Sequence, residues 1–496
     1  MSDLHLYNSL IRQKEKFEPI NAPFVGMYVC GPTVSGESHL GHARPYVTFD
    51  VVFRYLQFLG YKVRYVRNIT DVGHFEEEGR AAVDKVGVKA KLEQLEPMEM
   101  VQRYTNLYHD AMKQLGNLSP SIEPTAAGHI PEQIAMIEGI LAKGLAYVSQ
   151  GSVYFDVLKY ASSNDYGKLS GRILEDMIAG SRELDGQDEK RNPADFALWK
   201  KAPDDHIMRW NSPWGEGFPG WHIECSAMAT KYLGKYFDIH GGGMDLQFPH
   251  HESEIAQSHT CNECAPVKYW VHNNMITVNG KKMGKSYNNT ITLREMFDGT
   301  NPLLDKAYSP MTVRFLILQT HYRSTLDFSN TALQAAEKGL AGLMTTYRNL
   351  QKFVPGNFNG SNTALDKEIA QKVNECYEYI NDDLNTARVV ASLFELSTTI
   401  NSLKDGHIAI TEVSPDSIDL LQKTFSIFVE TVLGFQAETS QANGGITEGL
   451  MNLIIDLRLQ SRTNKDWATS DKIRDTLNAI GVKINDGKEG TTWEVG

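Results

Sequence analysis

Apolar and polar positions divide the chain into blocks with different periods. Residues 24–30 (FVGMYVC) are a short apolar run of strand type, broken by Gly31-Pro32-Thr33. From about His42 the apolar positions Val47, Val51, Tyr55 and Phe58 step by four, four and three, which is one face of a helix. Gly60 supplies its stop, and residues 61–67 (YKVRYVR) read as the next strand. Strand, glycine turn, helix, strand is a βαβ unit, so a parallel sheet of nucleotide-binding type is expected.

Between about Leu118 and Arg209 turn formers cluster, as in residues 160–165 (YASSND) and 185–188 (DGQD). This stretch reads as an insertion between two halves of the parallel fold, the second half resuming near Gly220. The last third is mostly helical. Ile418, Leu421, Phe425, Phe428 and Val432 repeat at helical spacing, with Ser414-Pro415 as N-cap and first turn and Gly434 as stop. Val389, Leu393, Leu396 and Ile400 form a second stripe, and both stripes read as bundle core. Residues 355–362 and 437–445 have linker composition. The predicted fold is α/β. A Rossmann-like parallel-sheet domain occupies 1–117 and 216–301, with a connective insertion over 118–215. A linking subdomain (302–335), a helix bundle (336–436) and a small C-terminal α/β unit (446–496) follow.

Length and composition agree with this plan. The chain has 496 residues, enough for three or four domains. Hydrophobic content of 41% and charged content of 22% are those of a soluble globular protein. The apolar runs are too short for a membrane span, and the start lacks the layout of a signal peptide. Five cysteines in a chain of this length make no disulfide framework, so a reducing cytoplasm is expected. The net charge of −12 constrains solubility and steering, not the local sign of one face, and leaves a nucleic-acid partner open.

Three places carry candidate chemistry. His39-Leu40-Gly41-His42 stands where the first strand hands over to the helix. Unpaired N–H groups there favour phosphate, and Gly41 lets a nucleoside approach the backbone. Taken alone, two histidines at a helix start are more often incidental. Lys282-Met283-Gly284-Lys285-Ser286 is a glycine-punctuated loop whose lysines can neutralise a polyphosphate; the plainer alternative is an exposed basic turn. The third is metal chemistry. Cys261 and Cys264 have CxxC spacing with His250, His251 and His259 nearby, the first zinc candidate by spacing. His250 and Glu254 are four apart at an expected helix start, on one face.

The first two motifs, in this order and half a domain apart, resemble the HIGH and KMSKS signatures of class I aminoacyl-tRNA synthetases. Leu40 stands where isoleucine is usual, and Gly284 where serine is. Residues 24–44, 68–71 (NITD), 220–228 (GWHIECSAM), 238–257 and 382–386 (DDLNT) are similar to the cysteinyl-tRNA synthetase family, of bacterial type. The likeness runs to residues 490–493 (GTTW), with Ser35 a local departure from the family's tyrosine. It implies one zinc ion on Cys30, Cys225, His250 and Glu254, and a surface turn rather than a ligand pair at Cys261 and Cys264. Cys376 then reads as bundle packing.

The same resemblance implies a cysteine–tRNA ligase that activates L-cysteine with Mg²⁺-ATP and transfers it to tRNA(Cys). His39, His42, Lys282 and Lys285 would be catalytic. His39, Gly41, His42, Gly241, Asp245 and Lys285 would hold ATP, and Thr70 and Trp221 would line the cysteine pocket. A cytoplasmic monomer is expected. In the tail, Arg462, Trp467, Asp471 and Asp486 are candidate anticodon contacts, Trp467 either stacking on a base or packing the unit's core. Zinc suits the task because thiolate is a strong ligand and alcohol is not, so an editing domain against serine is not expected. Four protein ligands usually mark a closed structural site, so one ligand, Glu254 above all, should loosen when the substrate thiolate arrives. Two other readings are a ligase that gives cysteine to a small amine and a silent zinc- and RNA-binding protein. The helical tail argues against the first, and the intact histidines and lysines against the second.

Overall fold

The structure is a computed structural model. It describes residues 3–72, 85–93, 95–174, 189–204, 206–284, 287–361, 363–437, 442–479, 482–487 and 490–495. They fall into two compact units, 1–436 and 437–496.

At the heart of the larger unit is a four-stranded sheet in the spatial order Val267–Asn273, Phe237–Gly243, Phe24–Val29, Lys62–Arg67. Every pairing is parallel, with Met27 opposite both Ile239 and Tyr65. Parallel strands are covered on both faces, which is why their sequences are near-continuous apolar runs rather than alternating ones. Phe237–Gly243 accordingly is buried along its whole length. The helix Leu40–Phe58 connects the inner strand Phe24–Val29 to the edge strand Lys62–Arg67, and its Val47, Val51 and Tyr55 are buried.

The insertion holds a sheet of its own, four antiparallel strands in chain order: Ala146–Ser149, Ser152–Phe155, Phe196–Lys201 and Gly217–Pro219. Phe155 stacks on Phe196 at 4.9 Å between ring centres. This core continues into Ile223 and Ala256, on the helices Trp221–Leu233 and Glu252–Asn262. These two helices therefore lie between the insertion and the parallel sheet.

A small sheet joins Ile276–Val278 to Lys281–Lys282 and, in parallel, to Leu326–Phe328. The helices Asn330–Leu350, Ala364–Asn381, Thr386–Lys404 and Pro415–Phe425 follow, the last continued with π geometry through Ser426–Val432. Both apolar stripes of the sequence are buried in this bundle. Phe358 is buried too, and Gly360 N–H donates to Val413 carbonyl, so this stretch is anchored within the unit at these two residues.

Two buried arginines tie the parallel fold to the segments that follow it. Arg314 is fully buried; it donates to Asp50, to the carbonyls of Leu433 (2.7 Å) and Leu115 (3.0 Å), and to Asn117 Oδ1. Arg44, in the second turn of the Leu40–Phe58 helix, donates to the carbonyls of Met275 (2.6 Å), His321, Tyr322 and Ser324. Its partners are all carbonyls, and burial lowers the guanidinium to about 10. Each interaction offsets the large cost of removing the charge from water.

The smaller unit has the helices Ala442–Thr463 and Trp467–Ala479 and an antiparallel hairpin, Val482–Gly487 with Gly490–Val495. Residues 442–445, of linker composition, begin the first helix. Among the described residues no helix is long and apolar enough to cross a membrane.

Candidate active site and metal centre

Cys30 follows the last residue of the strand Phe24–Val29. Cys225 lies one turn into the helix Trp221–Leu233, and His250 and Glu254 enter from the helical stretch after the strand Phe237–Gly243. Three distant pieces of sequence thus meet at the carboxyl end of the parallel strands, where open α/β sheets bind ligands. Cys30 Sγ is 3.9 Å from Cys225 Sγ and 3.7 Å from Glu254 Oε1. His250 Nε2 is 3.4 Å from Cys225 Sγ and 3.1 Å from Glu254 Oε1. Tetrahedral zinc bonds of ~2.3 Å to sulfur and ~2.0 Å to nitrogen or oxygen would set sulfurs about 3.8 Å apart and sulfur from nitrogen about 3.5 Å. Those four separations therefore match such an ion to a few tenths of an ångström, and all four residues are buried.

The electrostatics agree. Burial opposes ionisation of Cys225, but hydrogen bonding with Cys30 and the charge of His250 bring its thiol down to about 6. Burial, then Cys225, pushes the Cys30 thiol well up. Burial also works against the Glu254 carboxylate, yet His240 and His250 hold it at about 2.

Around these four stands a layer of histidines, of which the sequence pointed only to His251, and that as a neighbour of the CxxC pair. His222 Nδ1 is 3.0 Å from His250 Nδ1, and His240 Nε2 is 2.8 Å from Glu254 Oε2. His251 Nε2 is 3.2 Å from Cys30 Sγ, and its Nδ1 is 2.8 Å from His272 Nε2. Such partners orient metal ligands and fix their tautomers. The signal for them was present in residues 240–243 (HGGG) and 249–251 (PHH), polar residues inside stretches otherwise destined for the core.

Thr70 and Trp221 border this centre. Thr70 N–H donates to Pro32 carbonyl, which holds it against the glycine–proline turn, and its hydroxyl donates to Glu224 Oε1 at 2.8 Å. Burial raises the Glu224 carboxyl well above its ordinary range. The Trp221 ring lies 4.5 Å from that of His250.

His39 caps the helix Leu40–Phe58: its Nδ1 accepts from Gly41 N–H, while His42 Nδ1 accepts from His39 N–H, both at 3.1 Å. The two rings stack at 4.0 Å. A Cβ on Gly41 would stand 2.9 Å from the Met283 methyl and 2.9 Å from the His39 ring. The glycine thus lets the histidine pair and the lysine loop touch. Gly241 is pressed on Phe49, where a Cβ would meet the ring at 2.2 Å. Asp245, on the short turn Met244–Leu246, and Lys282, on the strand Lys281–Lys282, are exposed. Asn289 clamps the loop, accepting from Gly284 N–H and donating to Lys282 carbonyl. Lys285 lies outside the described residues.

The CxxC pair does not join this centre. Cys261 Sγ donates to Met136 carbonyl and Cys264 Sγ to Lys235 carbonyl. Neither belongs to a candidate metal cluster among the described residues. Cys376 is buried within the bundle. In the smaller unit Arg462 is exposed near the end of its helix, and Trp467, 58% exposed, starts the next. Asp471 is exposed and pairs with Arg474 at 3.2 Å. Asp486 lies on the hairpin strand Val482–Gly487.

Residues 16–338 match the family model of the class I (C) tRNA synthetase catalytic domain, and residues 375–438 that of the DALR domain. The cysteine–tRNA ligase of Bacteroides thetaiotaomicron is 56% identical over 494 residues, covering 99% of both chains. That of Porphyromonas gingivalis is 54% identical over 495 residues, again 99% of both. Among solved structures, Mycobacterium tuberculosis methionyl-tRNA synthetase bound by methionyl-adenylate has a TM-score of 0.56 at 13% identity, over 82% of this chain and 89% of its own. A leucyl enzyme of Agrobacterium radiobacter in a ternary complex has a TM-score of 0.57 at 12% identity, over 85% and 86%. At that identity these two speak for the fold alone. With the class I catalytic model spanning most of the chain and relatives above half identity along its whole length, the chain belongs to the cysteine–tRNA ligase family of class I aminoacyl-tRNA synthetases.

Proposed function

We propose that the chain activates L-cysteine with Mg²⁺-ATP and transfers it to tRNA(Cys), and that zinc held by Cys30, Cys225, His250 and Glu254 selects the substrate thiolate. What supports this most is the near-tetrahedral spacing of two thiols, an imidazole and a carboxylate beside Trp221 and Thr70. When bound, the ion supplies a soft acceptor that prefers sulfur to oxygen. Pocket shape alone would separate such similar substrates by only about 1–3 kcal/mol, so the metal takes the place of an editing site.

The chain's own groups do the rest. Thr70 and Trp221 shape the pocket in which cysteine is held. Its carboxylate attacks the α-phosphate, the bond to the β,γ-unit breaks, and pyrophosphate leaves. The terminal ribose hydroxyl of tRNA then displaces AMP from the acyl carbon. His39 and His42 stabilise charge on the phosphate, and Gly41 and Gly241 leave room for the nucleotide beside the backbone. Asp245 takes a ribose hydroxyl, and Lys282 and Lys285 neutralise the departing pyrophosphate. In the smaller unit Arg462, Trp467, Asp471 and Asp486 meet the anticodon, and the enzyme works as a cytoplasmic monomer.

The test is amino-acid-dependent ATP–pyrophosphate exchange together with zinc content. Exchange with cysteine far above that with serine, and loss of exchange and of tightly held zinc in Cys225→Ala, are expected. Equal exchange with serine, or unchanged zinc in the variant, would overturn the reading.

A further inference from the structure

The donors of the metal centre are divided between two sides. Cys30 Sγ has Cys225 Sγ at 3.9 Å on one and His251 Nε2 at 3.2 Å on the other. Glu254 reaches both groups, Oε1 lying 3.1 Å from His250 Nε2 and 3.9 Å from His251 Nε2, and Oε2 2.8 Å from His240 Nε2. Cys30, His240, His251 and Glu254 thereby make a second set of four buried donors, all within 4.8 Å of one another. The two sets share an edge formed by a thiol and a carboxylate. Those are the side chains able to bridge two ions, since sulfur carries several lone pairs and a carboxylate has two oxygens.

The second set is also held like a ligand set. His251 Nδ1 contacts His272 Nε2 at 2.8 Å, and His272 Nδ1 contacts Ser9 Oγ at 2.8 Å. This relay leaves His251 Nε2 directed at Cys30, the arrangement by which outer partners orient a metal-binding imidazole. His240 Nδ1 is buried without a hydrogen-bond partner, so its ring is positioned through Nε2 and Glu254.

We propose that Cys30, His240, His251 and Glu254 form a second, overlapping position for a divalent transition metal, bridged to the first by Cys30 Sγ and the Glu254 carboxylate. This rests on the first position being Cys30, Cys225, His250 and Glu254. Repulsion between two divalent ions so close together makes the second binding weaker than the first. Occupancy draws Glu254 Oε2 away from His240 and divides the Cys30 thiolate between two ions.

The experiment is a titration of the metal-stripped full-length chain with Co²⁺, followed by thiolate-to-cobalt absorption and by bound metal after equilibrium dialysis. Two equivalents are expected, the second at least tenfold weaker, and both should persist in a Cys261→Ser, Cys264→Ser background. His240→Ala and His251→Ala should each bind one equivalent, which retains thiolate-to-cobalt absorption. A Cys225→Ala, His250→Ala double variant should keep one weak equivalent. Saturation of the parent chain at one equivalent, or loss of the second with Cys261 and Cys264, would overturn the proposal. A first equivalent that leaves thiolate absorption absent would instead overturn the assignment of the first position.

Discussion

Gly41 and Met283 touch across 242 residues of sequence: a Cβ on the glycine would lie 2.9 Å from the methionine methyl. The same Cβ would crowd the His39 ring. Gly41→Ala should therefore displace the histidine or the loop by a few tenths of an ångström. Misplacement of reacting groups costs catalysis far more than folding, about 10²-fold when it reaches roughly 1 Å. We expect pyrophosphate exchange to fall by on the order of 10-fold to 10²-fold with the melting temperature nearly unchanged. Met283→Ala in the same chain should restore part of the rate, because a terminal methyl is the atom in the way. Equal loss in the single and double variants would refute this contact.

Asp366 joins two helix starts. It accepts from Thr363 N–H, in a capping box on Ala364–Asn381, and from Ser414 N–H and the Ser414 and Ser417 hydroxyls at the start of Pro415–Phe425. Burial alone would raise its carboxyl, but these hydrogen bonds hold it well below the ordinary range. A depressed folded value means stability that is present above the unfolded value of about 3.9 and is lost as pH falls towards the folded one. Asp366→Asn should cost about 1.5–3 kcal/mol at neutral pH, the scale of hydrogen bonds to a charged group. Urea denaturation should show this difference shrinking below about pH 4.

Asp383 sits in the left-handed region, at φ 63°, and is fully buried. Its carboxylate accepts from Tyr7 N–H at 2.8 Å, Tyr322 hydroxyl at 2.5 Å and Arg323 Nε at 2.7 Å. Tyr322 carbonyl in turn accepts from Arg44. Asp383→Ala removes the acceptor of three donors, and breaking a buried pair on one side costs about 3–5 kcal/mol. Guanidinium denaturation should place the variant in that range; a loss below about 1 kcal/mol would show the network to be dispensable.

Trp467 is largely exposed, so its removal should spare folding. If it stacks on an unpaired base, Trp467→Ala should raise the KM for tRNA by roughly 10-fold, since stacking contributes about 1–3 kcal/mol per base. Cysteine-dependent pyrophosphate exchange, which needs no tRNA in the proposed sequence, should stay constant. A parallel fall in exchange would assign Trp467 to folding instead.

The first βαβ unit was legible from an apolar run, a glycine turn and a helical stripe in succession, and the bundle from the unbroken spacing of its helices. Val47, Val51 and Tyr55, and Ile418 through Val432, each lie on one buried face, as their spacing requires. The antiparallel sheet of the insertion was hidden. Its strands Ala146–Ser149 and Gly217–Pro219 have four and three residues, too few to display a period. The metal donors were hidden for another reason: Cys30 and Cys225 are brought together by neighbouring elements of the fold, and local spacing carries no record of that. Spacing favoured Cys261 and Cys264, which bond carbonyls of different segments. His222, His240 and His272 lie far apart in sequence, with no shared spacing to connect them, and His251 was placed only beside the CxxC pair.

Arg314 carries a last consequence. Its guanidinium is satisfied jointly by Asp50 and Leu115 of the parallel fold and by Leu433, beyond the final bundle helix. Asp383 similarly reaches back to Tyr7. The catalytic half and the bundle are consequently not modules that can be cut apart at a loop. A chain ended near Pro355 would leave Arg314 without its Leu433 acceptor and Tyr7, Tyr322 and Arg323 without theirs. Any shorter enzyme on this plan must first have replaced those acceptors, so the divisibility of the fold is set by a few buried cations and not by its linkers.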